Sequence, residues 1–155
     1  MGTDLPPSPP ALPSAVMDTN VLCAAFRSRT GASFELFRRL RLGEWTAILS
    51  NHLLHEYEEK LLEQRFALGL SIADIERLLD AVCARAEEWP LKPGWAPMLS
   101  DPDDEPLVQL AAESGGMCIV THNLRHLKPA SSLGIEVLKP AEFLAKVRAF
   151  HDAPS

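Results

Sequence analysis

Short apolar runs alternate along the chain with amphipathic helical patterns, and this alternation constrains the fold more than any other feature. The runs cover residues 15–17, 45–49, 117–120 and 135–138. They are predominantly apolar rather than alternating, which is typical of strands in a parallel sheet that helices cover on both faces. The sequence therefore predicts an α/β fold with a short, mostly parallel central sheet.

The segments between these runs predict helices. The expected helices cover about 21–26, 31–42, 51–65, 72–89, 105–114 and 140–150. Residues 1–13 are rich in proline and predict a disordered or polyproline tail. We expect one domain over residues 14–150, followed by a short C-terminal tail at 151–155, because a chain of 155 residues suits a single core.

Several classes of protein are disfavoured by composition. No apolar run approaches the roughly 18 residues of a membrane helix, and the N-terminus does not resemble a secretory signal. Three scattered cysteines without CxxC spacing predict reduced thiols rather than a disulfide framework, and hence a cytoplasmic protein with no membrane association.

The charge is unevenly distributed. The net charge of −6 argues against a simple polyanion binder, since phosphate contacts need clustered cations. However, five arginines lie within residues 27–41, whereas four acids lie within residues 101–105. This separation is compatible with a metal site beside a nucleic-acid surface.

Acidic side chains occur at three places that could meet. Asp18 directly follows the first apolar run, where a buried carboxylate needs a cation or hydrogen bonds, although a helix cap is an alternative. Asp101, Asp103, Asp104 and Glu105 open a helix, and capping needs fewer acids than these.

The third place is Glu56, at the border of the apolar stripe formed by Leu53, Tyr57 and Leu61. Its alternative role is an exposed ion pair with Lys60, four residues later. A zinc site at His52 and His55 is disfavoured, because the chain contains no cysteine pair and no HExxH motif.

Ligands in parallel sheets gather beyond the carboxyl ends of the strands, so these acids are expected at one edge. Oxygen-only ligands select hard cations, Mg²⁺ or Mn²⁺. Such ions polarise phosphoryl oxygens and lower the pKa of water, which is chemistry that hydrolyses phosphodiesters.

Four motifs in this order resemble the PIN domain family, and more narrowly the toxins of bacterial toxin–antitoxin pairs. The motifs are VMDTNVL, LLHEYEEKL, DPDDEPLVQLA and IVTHNLRHL, with a similar closing segment at 137–144. The resemblance spans roughly residues 15–145. It implies an α/β/α sandwich of three layers and Mg²⁺- or Mn²⁺-dependent cleavage of single-stranded RNA.

The resemblance also implies roles for individual residues. The family's metal-binding acids fall on Asp18, Glu56 and Asp104, with Asp101 and Asp103 as competing acids. Asn20 and Thr121 correspond to orienting polar groups. The fourth acid of the broader family is replaced by Asn123, whose side chain is expected to line the active site, to cap the following helical turn, or both.

Basic and imidazole side chains complete the expected site. Arg27 and Arg29 are candidates for contacting the RNA backbone. His122 and His126, four residues apart, could form a metal pair, but a surface or RNA-contacting role is favoured.

The main hypothesis is therefore a PIN-type endoribonuclease, a toxin restrained by a small antitoxin protein and assembled as a homodimer. The alternative is a catalytically weak or inactive module that binds RNA or protein on the same fold, which Asn123 motivates. A phosphotransferase using Asp18 as nucleophile is disfavoured, because the expected second acid is replaced by Asn20.

Overall fold

A five-stranded sheet in which every neighbouring pair is parallel organises the structure. The computed structural model of the protein describes residues 11–154. Its strands are β1 (Ser14–Met17), β2 (Thr46–Leu49), β3 (Ala86–Glu88), β4 (Cys118–Val120) and β5 (Glu136–Leu138). They lie in the order β3-β2-β1-β4-β5. Helices flank this sheet, so the predicted fold class is confirmed.

Seven α-helices in the described residues connect the strands. They are α1 (Thr19–Arg27), α2 (Ala32–Arg41), α3 (Asn51–Leu68), α4 (Ile72–Ala84), α5 (Glu105–Ser114), α6 (Leu124–Leu127) and α7 (Pro140–Asp152). Capping chemistry explains where several of them begin and end. The Ser50 hydroxyl accepts from the amide of Leu53 at 3.1 Å, and Ser71 forms a capping box with Asp74. Gly69 ends α3 with a φ of 68°, which glycine adopts without strain.

The core is centred on the two middle strands. The side chains of β4 are all buried, as are the last three residues of β1. Helix α5 packs against β1, β2 and β4, while α1 packs against α2 and α3. Trp45 is buried against Phe143 with ring centroids 5.1 Å apart, and its indole N–H donates to the Leu36 carbonyl.

One predicted element is wrong. The helix expected to reach residue 89 ends at Ala84. Residues Ala86–Glu88 instead form β3, an unpredicted strand that pairs in parallel with β2. This strand lies at the edge of the sheet, with Glu87 and Glu88 exposed to solvent. An edge strand needs no apolar run, so hydrophobic patterning could not detect it.

Ordered structure extends slightly beyond the predicted domain limits at both ends of the described residues. Residues 1–10 of the predicted tail lie outside the described residues. Pro13, the last residue of that predicted tail, accepts a hydrogen bond from the amide of Thr46 at 2.9 Å. Helix α7 continues to Asp152, two residues into the predicted C-terminal tail. Within residues 11–154, no helix combines the length and apolar character needed to cross a bilayer.

Candidate active site

Asp18 lies at the carboxyl end of β1, where the strand order changes direction. Strand β1 lies between β2 and β4. The chain adds β2 and β3 on one side of β1 and then β4 and β5 on the other, so the end of β1 is the topological switch point of the sheet. The Asp18 amide donates to the carbonyl of Val120 at 2.9 Å, and the residue is only 6% exposed. The backbone therefore holds a nearly buried carboxylate at the position where parallel sheets bind ligands.

The Asp18 carboxylate is bonded across the crevice rather than to its own helix. It occupies the N-cap position of α1, but its side chain makes no capping hydrogen bond. Instead, the hydroxyl of Thr121 donates to Oδ2 at 2.7 Å. Burial raises the pKa of Asp18, and the Thr121 hydrogen bond and the nearby amides of Thr19 and Asn20 lower it only in part.

The turn after β4 is tied to the first strand by side-chain hydrogen bonds. Thr121 is completely buried, and its oxygen also accepts from the amide of Asn123 at 2.9 Å. Asn20 Oδ1 accepts from the amide of His122 at 3.3 Å. Thus Thr121 and Asn20, both predicted as orienting groups, join the loops that follow β1 and β4.

Asn123 is placed at the mouth of this site and is exposed. It occupies the N-cap position of α6, but its side chain makes no capping hydrogen bond. Asn123 therefore stands at the N-cap position, as one alternative predicted, but its side chain does not cap the helix.

Glu56 is half-buried on α3, beside the anchor that fixes this helix to β1. The neighbouring Tyr57 is fully buried, and its hydroxyl donates to the carbonyl of Met17. The expected ion pair of Glu56 with Lys60 is absent from the described residues, since Lys60 pairs with Glu63 at 3.3 Å instead. Burial and then the charge of Asp18 raise the pKa of Glu56, so the two acids are close enough to interact electrostatically.

Asp104 is the third acid of the predicted site. It is half-buried and ends a short 3-10 turn, Pro102–Asp104, that leads into α5. Burial raises its pKa first, followed by the charges of Asp18 and Asp101. The competing acids are exposed, and the Asp101 side chain is engaged by the amide of Asp103 at 2.9 Å. Asp104 is thus the acid of its cluster best placed to join Asp18.

The three carboxylates lack cationic partners within the described part of the chain. None of Asp18, Glu56 and Asp104 forms a salt bridge there. The Thr19 hydroxyl lies beside Glu56, and its hydrogen bond lowers the pKa of that carboxyl in part. Negative charge without a salt-bridge partner fits a hard cation and its water ligands.

The acids do not form a closed cage. Across residues 11–154, no three His, Cys, Asp or Glu side chains are close enough together to hold a metal as they stand. Neither His122 with His126 nor His52 with His55 belongs to such a group of three in the described residues. The three carboxylates therefore do not form a ready ligand set for one ion in this part of the chain.

The histidines after β4 lie at the rim of the acidic site. His122 Nε2 lies 3.4 Å from the hydroxyl oxygen of Ser33, and both His122 and His126 are exposed. The charge of His122 lowers the pKa of Asp18, and that of His126 lowers the pKa of Asp104. Each imidazole therefore lies near one of the acids.

Glu105 has a structural role that sequence reasoning missed. It is only 7% exposed, and its carboxylate accepts from the Trp95 indole at 2.9 Å and from the amides of Met98 and Leu99. Burial raises its pKa, but these hydrogen bonds outweigh that effect and lower it overall. Glu105 thereby fixes the loop before Asp104, and it faces inward like Leu107 and Val108 in the same helix.

Arg27 and Arg29 lie at the opposite end of α1 from Asp18. The nine residues of that helix separate the two ends by about 13 Å. Arg27 donates to Gln64 Oε1 at 2.8 Å, and Arg29 borders a groove formed with α2 and α4. The structure does not bring these two arginines to the acidic site.

Comparison with known protein families places the chain. The family model described as PIN domain matches residues 14–125, a range that contains β1 to β4 and all three acids of the site. A comparison with curated proteins gives no match.

Proposed function

This chain belongs to the PIN domain family, and from that membership we propose that it is a metal-dependent endoribonuclease that cleaves single-stranded RNA. PIN domains are typically nucleases, and the family generally uses divalent metal ions. The choice of RNA as substrate and of Mg²⁺ or Mn²⁺ as cofactor is part of the proposal.

The observation that carries the proposal is the grouping of Asp18, Glu56 and Asp104 around the switch point of the sheet. These acids come from three separate segments. Burial raises the pKa of all three, and the charge of Asp18 raises the pKa values of Glu56 and Asp104 further. A protein gains no stability from such a group without a cation. The arrangement is therefore better explained by ligand binding than by folding.

In this proposal Asp18, Glu56 and Asp104 would hold the ion after their side chains move closer together than they lie in the structure, and neighbouring side chains would orient them. The hydrogen bond from Thr121 to Oδ2 fixes the orientation of the Asp18 carboxylate. A bound Mg²⁺ or Mn²⁺ supplies Lewis acidity toward the phosphoryl oxygen and lowers the pKa of water. Asn20 and Thr121 keep the β1 and β4 loops in register, and His122 and His126 offer N–H donors to phosphate at the rim.

The test is cleavage of single-stranded RNA in the presence of Mn²⁺. We expect D18N and D104N each to lower the rate by two or more orders of magnitude, since a lost metal ligand removes most of the electrostatic stabilisation. The matched pair E56Q and E59Q compares a site acid with an exposed acid of the same helix. Full activity in D18N and D104N, or equal losses in E56Q and E59Q, would refute the site assignment.

A second candidate function is a binding module that has lost catalysis. The replacement of the family's fourth acid by Asn123 favours it, because three carboxylates bind a second cation more weakly than four. Calorimetric titration separates the two candidates. A nuclease takes up Mn²⁺ at millimolar concentrations, whereas a module without catalysis does not.

We further propose that the protein is a toxin of a toxin–antitoxin pair, acting on RNA in the cytoplasm as a homodimer. The support is the resemblance of its motifs to those of toxin-like PIN domains. Expression of the wild-type chain in a bacterial host should arrest growth, and D18N should not. Light scattering on the purified chain tests the dimer, and co-purification with the product of a neighbouring small gene tests the antitoxin.

A further inference from the structure

A cavity of about 460 Å³ lies along the same edge of the sheet as the acids, beyond the ends of β2 and β3. Its apolar lining is Trp89, Pro90 and Leu91, and its polar lining includes Asn51, His52 and Glu88. The volume is within the range of small-molecule sites. None of the roles assigned above uses this cavity.

Trp89 is held in place by two hydrogen bonds. Its amide donates to the carbonyl of Leu49 at 2.8 Å, which extends the pairing of β3 with β2. Its indole N–H donates to Glu87 Oε1 at 2.9 Å, so the polar edge of the ring is satisfied. The half-buried ring thus borders the cavity as an anchored aromatic surface.

The cavity is adjacent to the proposed metal site along α3. His52 lines the cavity and precedes Glu56 by four residues, so the two share a helix face about 6 Å apart along the axis. A chain bound at Glu56 could therefore place its neighbouring nucleotide in the cavity.

The chemistry of the lining favours a base over a phosphate. Aromatic rings stack on nucleobases of any sequence, and Trp89 with Pro90 and Leu91 offers a flat apolar surface. Glu88 carries a negative charge that repels phosphate but accepts hydrogen bonds from base amino groups. A purely anionic ligand would find no cation in this lining other than His52.

We propose that this cavity is a nucleobase-binding subsite in which Trp89 stacks on the base next to the scissile phosphate. The inference rests on the proposed function, because it assumes a single-stranded nucleic acid at the acidic site. It adds a binding residue outside the acids and the β4 turn.

The test is a binding titration in EDTA, where metal-dependent cleavage cannot occur. The probe is a single-stranded DNA octamer labelled with fluorescein, followed by anisotropy. We expect W89A to weaken binding about tenfold or more, and W89F to retain most of it because phenylalanine also stacks. F66A is the matched control, since Phe66 is the most exposed large apolar side chain and lies at the other end of α3.

Tryptophan emission gives a second readout that a merely structural role would not move. In a W95F background the remaining tryptophans are the buried Trp45 and Trp89. We expect the unlabelled octamer to quench the emission of W95F and not that of W95F/W89F. This measurement decides the matter if W89A fails to fold.

Two results would overturn the subsite. One is an octamer affinity in W89A equal to that of the wild type, and the other is no quenching in W95F at saturating octamer. Mn²⁺-dependent cleavage of RNA by the wild type is measured in parallel, so that the nuclease proposal and the subsite proposal are tested separately. Cleavage without an effect at Trp89 refutes only the subsite, whereas absence of cleavage refutes the nuclease.

Discussion

The hydroxyl of Thr121 is the feature of the site whose removal is most informative. In Thr121→Val the side chain keeps its shape but loses both hydrogen bonds, one to the Asp18 carboxylate at 2.7 Å and one from the Asn123 amide at 2.9 Å. A hydrogen bond to a charged group contributes about 1.5–3 kcal/mol and a neutral one about 0.5–1.5 kcal/mol. Because Thr121 is completely buried, water cannot replace the hydroxyl at its own position.

We therefore expect T121V to lower the free energy of unfolding by about 3 kcal/mol at pH 7 without metal. T121S, which keeps the hydroxyl and loses only a methyl group, should lose about 1 kcal/mol. Urea unfolding with unchanged slopes would report the difference. A matched control is T30S, at an exposed threonine outside the site.

The pH dependence gives the sharper refutation. Loss of the Thr121 hydrogen bond should raise the folded-state pKa of Asp18 further above its ordinary value of 3.8. The stability deficit of T121V should then be smaller at pH 3, below that ordinary value, where the folded-state carboxyl is protonated, and should grow as the pH rises through the folded-state pKa. A deficit below about 1 kcal/mol at pH 7, or one that is the same at both pH values, would refute the reasoning.

Three further predictions follow from the same geometry. The folded-state pKa values of Asp18, Glu56 and Asp104 are raised, so without metal these groups favour the folded state at low pH. This contribution to stability is complete below their ordinary pKa values and is lost as the pH rises through the folded-state values. Consequently, Mn²⁺ should raise the unfolding temperature at pH 7.5 more than at pH 5, and calorimetry showing equal shifts would contradict this. Asn123→Asp should tighten a second Mn²⁺ in a calorimetric titration, and unchanged metal affinity would leave Asn123 without a role in metal binding. Glu105→Ala should destabilise the protein by about 3 kcal/mol in urea, because it leaves the Trp95 indole and two amides without their acceptor. A loss similar to that of E76A, at an exposed acid of α4, would refute that role.

The class of fold could be predicted from the sequence because it depends on local patterns, and the same patterns predict which residues follow the strands. Apolar runs followed by polar residues indicate parallel strands, and Asp18 and Thr121 directly follow two of them. The structure places these two side chains 2.7 Å apart, although 103 residues separate them in the chain. The predicted orienting role of Asn20 rests on a similar contact, to the amide of His122.

Other features depended on contacts that no local pattern encodes. Strand β3 exists because β2 offers it backbone partners, so two exposed glutamates can occupy an extended edge. In the sequence Glu105 is one of four similar acids, and only the structure shows that the loop at residues 95–99 donates hydrogen bonds to it. Likewise, Arg27 and Arg29 looked close to Asp18 in sequence, but the length of α1 separates them from it.

The sequence by itself determined which residues could bind a metal and which end of the sheet they would occupy, since a residue after a buried strand emerges at that edge. Only the tertiary structure decided which side chains share that space. The choice of Asp104 over Asp101 and Asp103 depends on how the 3-10 turn directs each carboxylate, and the position of Trp89 depends on the pairing of β3 with β2. The direction of a side chain and the pairing of a strand are set by the packing of distant segments. Backbone groups find their hydrogen-bond partners, and side chains become buried, only when those segments meet.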